Sequence, residues 1–117
     1  MDKNKRRTFP NYQDLEDALK KLFSDLLRGY PIGKYVKFKK VSDDTVKAYI
    51  YTEDNYYVVV ATTGGYLGCQ SSPRRNEAGD EFNRGGRDLA DGPFTNRTWG
   101  HIKNGIINTE LVKLGQR

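Results

Sequence analysis

The hydrophobic period of this chain changes from 3.6 to 2 near residue 35, and this change sets the order of its secondary structure. The apolar residues before it recur at i, i+3, i+4, i+7, i+8 and i+11: Leu15, Ala18, Leu19, Leu22, Phe23 and Leu26. This spacing places them on one face of an α-helix. Asn11 is a typical N-cap residue, while Gly29 followed by Pro31 is typical of a helix end. The sequence therefore predicts a helix that begins after Asn11 and is closed by Gly29.

The following segment has the period of β-strands. Three short runs are rich in Val, Tyr, Ile, Thr and Phe: Tyr35–Val41, Val46–Thr52 and Tyr56–Thr62. Polar turn sequences separate these runs, so we expect consecutive antiparallel strands. Gly64 and Gly65 predict a further hairpin that returns as a fourth strand over 66–70.

A second helix is expected near the C-terminus. Thr95 is a good N-cap, and Phe94 and Trp99 occupy the positions of a hydrophobic staple. Two glycines, Gly100 and Gly105, each cost about 1 kcal/mol relative to alanine inside a helix. A break at Gly105 is consistent with this cost, and residues 109–114 fit a helix or a last strand equally well. We therefore expect this helix to be the shorter one.

These elements predict an α+β fold, in which an antiparallel meander of three to four strands packs on both helices. The apolar faces of the two helices need one cover, which the sheet supplies. The length of 117 residues fits one domain, assigned here to residues 11–117. Residues 1–10 form a basic tail that is expected to be mobile.

A 26-residue segment, 70–95, shows no hydrophobic period and carries charges of both signs. Its four bases are all arginine (Arg74, Arg75, Arg84 and Arg87), and its five acids are Glu77, Asp80, Glu81, Asp88 and Asp91. Structureless connections longer than about 12–15 residues are usually functional or disordered. The arginine guanidinium can donate two hydrogen bonds at once to a carboxylate or a phosphate. These side chains therefore either bind an anion or pair with the loop's own acids.

The predicted sheet has a second candidate surface. Val46, Ala48 and Ile50 form an apolar face of one strand, so Lys47, Tyr49 and Tyr51 point to the other side. Lys37 and Lys39 alternate in the same way in the preceding strand. Aromatic rings stack unpaired bases at about 1–3 kcal/mol each, and lysines contact phosphates. Tyrosine and lysine are also ordinary occupants of a solvated sheet face.

The candidate binding residues combine both surfaces. They are Lys37, Lys39, Lys47, Tyr49, Tyr51, Arg74, Arg75, Arg84 and Arg87. The ligand class that these residues favour is single-stranded nucleic acid, in agreement with the net charge of +5. A protein partner that uses the tyrosines and arginines as interface anchors is the alternative.

Catalytic and metal-binding patterns are weak. One cysteine, Cys69, and one histidine, His101, are too few for a zinc site, and no EF-hand spacing is present. Two enzyme hypotheses remain open. In one, Cys69 is a thiolate nucleophile and His101 its base, and in the other, a hydrolase uses Glu77, Asp80 and Glu81. We expect no cofactor, no metal and no catalytic residues.

The compartment follows from the cysteine count and the N-terminus. A single cysteine rules out an intramolecular disulfide, and no apolar segment follows the charged residues 1–7. The sequence therefore predicts a small non-enzymatic binding or accessory protein of the cytoplasm, with no membrane span.

Overall fold

The computed structural model describes residues 5–29, 35–53, 55–73 and 87–115. They form two helices and five strands: α1 (Tyr12–Gly29), β1 (Tyr35–Ser42), β2 (Thr45–Tyr51), β3 (Asn55–Thr62), β4 (Tyr66–Pro73), β5 (Arg87–Pro93) and α2 (Asn96–Gly115). The strands form one sheet of order β1-β2-β3-β4-β5, and every neighbouring pair is antiparallel. The predicted α+β meander is thus confirmed, with five strands in place of three to four.

The additional strand lies within the segment that was expected to be a loop. Strand β4 continues to Pro73, and β5 pairs with it from Arg87 to Pro93. The sequence of β5 contains two aspartates, a glycine and a proline, all of which are uncommon in strands. Its pairing with β4 and its packing against α2 outweigh this low intrinsic preference. The prediction of one loop over 70–95 was therefore wrong at both ends, and residues 74–86 lie outside the described ranges.

Both helices pack on the same face of the sheet. The core cluster joins Leu15, Leu19, Phe23 and Leu26 of α1 to Val46, Ala48 and Ile50 of β2 and to Trp99, Ile102 and Ile106 of α2. The alternation predicted for β2 is confirmed, since Val46, Ala48 and Ile50 are fully buried. Leu22 packs against this cluster but is only half-buried.

The N-terminal ends of both helices are capped as predicted. The Asp14 backbone N–H donates to Asn11 Oδ1 at 2.9 Å, and the Thr98 N–H donates to Thr95 Oγ1 at 3.1 Å. Each bond satisfies one of the donors that a helix leaves unpaired at its first turn.

Helix α2 runs without a break to Gly115 and has 20 residues, against 18 in α1. The expectation of a shorter second helix was wrong because Gly105 serves packing and does not end the helix. A Cβ atom at this position would lie 3.3 Å from the Cβ of Leu89. Glycine therefore lets α2 approach β5 closely.

The N-terminal segment 5–10 crosses one end of the sheet. The Arg7 N–H donates to the Phe94 carbonyl at 2.8 Å, and the Phe9 N–H donates to the Thr63 carbonyl at 2.9 Å. The Arg7 guanidinium lies 5.3 Å and 5.5 Å from the ring centroids of Phe9 and Phe94. Two backbone hydrogen bonds thus attach this part of the predicted tail, and the mobility of the residues before it stays a prediction.

Candidate functional site

The candidate residues lie on the side of the sheet that faces away from α1 and α2, which we call the second face. The strand register defines two cross-strand rows on it. One row is Lys37, Tyr49, Val58, Gln70 and Asp88, and the other is Lys39, Lys47, Val60, Gly68 and Asp91. The sheet therefore brings the predicted lysines and tyrosines of β1 and β2 together.

The tyrosines of this face are buried. Tyr49 and Tyr51 are 1% and 4% exposed, and they belong to a small cluster with Tyr56 and Val58. The Tyr49 and Tyr51 rings stack with centroids 6.1 Å apart, and those of Tyr51 and Tyr56 are 5.8 Å apart. Neither predicted tyrosine presents a free ring face to solvent in this structure. This burial was not predicted. Alternation in the sequence indicates which face of the sheet a side chain lies on, but it does not indicate whether that face is exposed to solvent.

The lysines lie on β1 and β2, at one border of the second face. Lys37 and Lys39 are exposed, and Lys47 is half-buried. The Lys37 ammonium lies 5.7 Å from the Tyr49 ring centroid, within cation–π range. Lys39 and Lys47 are direct partners across the β1–β2 ladder.

The lysines of β1 also have a structural role. Strand β1 is an edge strand, and charged side chains on an edge prevent pairing with the edge of another sheet. This role accounts for Lys37 and Lys39 without any ligand.

The opposite border of the second face is acidic. Asp88 and Asp91 of β5 are both exposed. Asp88 Oδ1 accepts a hydrogen bond from Gln70 Nε2, and the Tyr66 hydroxyl lies 3.5 Å from Asp91 Oδ2. Partial burial raises the pKa of Tyr66, and the charge of Asp91 adds to this shift.

The arginines do not join the lysines within the described part of the chain. Arg87 is exposed at the start of β5. Strands β1 and β5 are the two edges of the sheet, so about 19 Å separates them at a spacing of about 4.8 Å per strand. Arg74, Arg75 and Arg84 lie outside the described residues, as do the acids Glu77, Asp80 and Glu81 of the hydrolase hypothesis.

The remaining enzyme hypothesis pairs Cys69 with His101, and the structure does not place these two residues as a nucleophile and its base. Cys69 is buried on the face that packs against the helices, and burial raises the pKa of its thiol. His101 is exposed on α2. Within residues 5–29, 35–53, 55–73 and 87–115, no three His, Cys, Asp or Glu side chains are grouped to hold a metal ion.

Two shallow grooves border the N-terminal segment. One of about 540 Å³ lies between this segment and α1, and its lining includes Arg7, Asp14 and Lys21. The other, of about 380 Å³, lies beside the β3–β4 turn, and its lining includes Arg6 and Tyr66. Neither groove is lined by a residue of the predicted binding set.

A polar cluster that was not predicted joins α2 to the β2–β3 hairpin. Glu110 Oε2 accepts hydrogen bonds from the Tyr57 hydroxyl, from Asn55 Nδ2 at 3.1 Å and from Thr52 Oγ1 at 3.4 Å. Burial raises the pKa of the Tyr57 phenol, and the hydrogen bond to Glu110 adds to this shift. Ile102, Ile106 and Glu110 follow a spacing of four, so a continuous second helix would have placed Glu110 on the core side.

Comparisons with known protein families, with curated proteins and with solved structures find no match. No helix in the described part of the chain is long and apolar enough to cross a membrane.

Proposed function

We propose that this protein is a small non-enzymatic binding protein whose ligand is single-stranded nucleic acid, held by its phosphates on the β1–β2 hairpin. The residues that would carry this function are Lys37, Lys39 and Lys47. The observation that supports it is that the three lysines lie together on one side of this hairpin, with Lys37 and Lys39 exposed. Lysine ammonium groups donate hydrogen bonds to phosphate oxygens, and such contacts position a nucleic-acid strand without reading its sequence.

The burial of the tyrosines determines which part of a nucleic acid this surface can contact. Base stacking requires an accessible ring face, and Tyr49 and Tyr51 are almost fully buried. Contacts to phosphates need only the lysine ammonium groups, of which those on Lys37 and Lys39 belong to exposed side chains. The proposed binding is therefore electrostatic and tolerant of sequence.

The test is a titration of a labelled single-stranded oligonucleotide at several salt concentrations. Each phosphate contact contributes about −0.7 to the slope of log K against log salt for a single strand. Lys39→Ala and Lys47→Ala should each weaken binding and make the slope shallower by about this amount. Lys21→Ala is the matched control, because Lys21 is an exposed lysine on α1, which packs on the other side of the sheet.

The titration separates this function from its alternatives. Absence of binding at low salt would exclude nucleic acid and favour a protein partner. An equal effect of Lys39→Ala and Lys21→Ala would mean that only the net charge matters and that the lysine pair is not a site.

A further inference from the structure

Tyr66 presents an aromatic ring to solvent on the second face. Leu67 and Cys69 of β4 pack in the core below the helices, so Tyr66 and Gly68 lie on the opposite side of the sheet. Tyr66 is 36% exposed, the highest value for a tyrosine among the described residues, whereas Tyr49 is 1% exposed. It lies at the first residue of β4 and does not belong to the buried tyrosine cluster. Its ring is therefore open to a ligand.

The strand beneath this ring holds it in place. A Cβ atom at Gly68 would lie 2.5 Å from the Tyr66 hydroxyl oxygen and 3.0 Å from its Cζ, so the ring fits there because residue 68 is a glycine. The ring thus lies on Gly68, and its outer side is the part that solvent reaches. A ring that is already held in the free protein loses little rotational freedom when a ligand binds.

A groove of about 380 Å³ borders this ring. Its lining joins Tyr66 to Arg6 and includes three glycines. The aliphatic part of Arg6 lies against Gly65, where a Cβ atom would be 2.6 Å from Arg6 Cγ and Cδ. Among the described residues, no ion pair involves Arg6. The groove therefore offers a ring on which a base can stack and a cation for the phosphate next to it.

The exposed ring and the lysines of the β1–β2 hairpin share one cross-strand row. Lys47 pairs with Val60, and Val60 pairs with Gly68, on which the Tyr66 ring lies. Two strand spacings separate Lys47 from Gly68, or about 10 Å at about 4.8 Å per strand. Val60 is half-buried, whereas Val58 in the next row is 4% exposed, so the row of Tyr66 is the more open of the two. A single strand that crosses this row can place phosphates on the lysines and a base on Tyr66.

An acidic side chain borders the same ring. Asp91 Oδ2 lies 3.5 Å from the Tyr66 hydroxyl. A carboxylate only accepts hydrogen bonds, and its two oxygens have acceptor capacity beyond this one contact. Cytosine presents an amino donor at the position where thymine presents an oxygen acceptor. A carboxylate at this place therefore favours cytosine over thymine.

We propose that Tyr66 stacks one unpaired base of the single strand that the lysines hold, and that Asp91 selects a base with an exocyclic amino group. Arg6 contacts the phosphate next to this base. The proposal rests on the proposed function and adds one base contact to a strand that is otherwise held by its phosphates.

The test compares three labelled strands of equal length: oligodeoxycytidine, oligodeoxythymidine and a strand without bases. All three carry the same phosphates, so their binding should show the same salt dependence. The cytosine strand should bind the native protein about 5- to 100-fold more tightly than the strand without bases. The thymine strand should lie between the two.

Replacement of the ring isolates stacking. Tyr66→Leu should lower the affinity for the cytosine strand to near that of the strand without bases, with an unchanged salt slope. Tyr12→Leu is the control, because Tyr12 packs against the core on the other side of the sheet. Tyr66→Trp keeps an aromatic ring and should retain the difference between the strands. Its fluorescence should be quenched by the cytosine strand and not by the strand without bases, which tests stacking even if circular dichroism shows that Tyr66→Leu is unfolded.

Two aspartates of β5 allow a matched test of base selection. Asp91→Asn should bring the cytosine and thymine strands to the same affinity, because an amide both donates and accepts hydrogen bonds. Asp88→Asn removes the same charge from the same strand, one row away from Tyr66. It should raise both affinities equally and preserve their ratio. Equal affinities of the native protein for cytosine and thymine would overturn the role of Asp91.

The strand without bases separates the stacking site from the lysine site. Lys39→Ala and Lys47→Ala should weaken its binding, whereas Tyr66→Leu should not. Equal affinity of the native protein for all three strands would overturn stacking and leave the lysine site standing. So would a folded Tyr66→Leu variant that binds the cytosine strand as tightly as the native protein does. Absence of binding by every strand at low salt would overturn both.

Discussion

The hydroxyl of Tyr57 donates a hydrogen bond to the carboxylate of Glu110, and this contact joins the middle strand of the sheet to the C-terminal half of α2. Tyr57 is fully buried. Its hydroxyl therefore depends on Glu110 to compensate for its removal from water. Tyr57→Phe removes the donor and leaves the carboxylate with one partner fewer. We expect a loss of about 1–3 kcal/mol in the free energy of unfolding, measured by urea denaturation.

The same contact predicts a change of stability with pH. The pKa of Tyr57 is raised in the folded state by burial and by Glu110. An unfolded tyrosine titrates near pH 10, so above this pH the unfolded chain binds fewer protons than the folded one. The free energy of unfolding should then fall with rising pH, by about 1.4 kcal/mol per unit for this group. Tyr57→Phe should make the fall shallower, and an unchanged slope would contradict the buried, protonated phenol.

The packing of the core predicts that two leucines of α1 differ in the stability lost when each is replaced by alanine. Leu19 is fully buried, whereas Leu22 is half-buried at the edge of the core. Leu19→Ala should therefore lower the free energy of unfolding by about 2–5 kcal/mol. Leu22→Ala should cost less, because part of its side chain already contacts water. Equal urea midpoints for the two variants would be inconsistent with the packing described.

The two glycines of α2 allow a matched comparison. A Cβ at Gly100 would meet no atom within 4 Å, so Gly100→Ala should stabilise the protein by about 0.5–1 kcal/mol. A Cβ at Gly105 would lie 3.3 Å from Leu89. Gly105→Ala should therefore give less stabilisation or a net loss. A gain at Gly105 as large as that at Gly100 in thermal unfolding would show that α2 and β5 are less closely packed.

The N-cap of α2 carries a further prediction. Thr95→Ala removes the acceptor of the Thr98 N–H and should cost about 0.5–2 kcal/mol. Asn108→Ala is the control, since Asn108 is exposed within the same helix. A loss at Thr95 no larger than the effect at Asn108 would contradict the capping role.

The sequence was sufficient where local pattern and tertiary packing agree. The caps Asn11 and Thr95, the helix face of α1 and the alternation of β2 all follow from local rules, and the structure confirms them. The alternation also placed Lys37, Lys39, Lys47, Tyr49 and Tyr51 on one face of the sheet.

Prediction failed where a distant element decides the conformation. Strand β5 is a poor strand by composition, and its pairing with β4 is not visible in its own residues. The role of Gly105 depends on Leu89, which lies on β5, and the role of Glu110 depends on Tyr57, which lies on β3. A single sequence does not encode these pairings in any local period.

We propose that nucleic acid binds at the lysines of the β1–β2 hairpin. Titration of a single-stranded oligonucleotide into isotopically labelled protein, followed by amide chemical shifts, tests this binding site. We predict that the largest shifts cluster on residues 36–40 and 45–49 and that added salt reverses them. Shifts confined to other parts of the chain, or no shifts at low salt, would exclude nucleic-acid binding at this site.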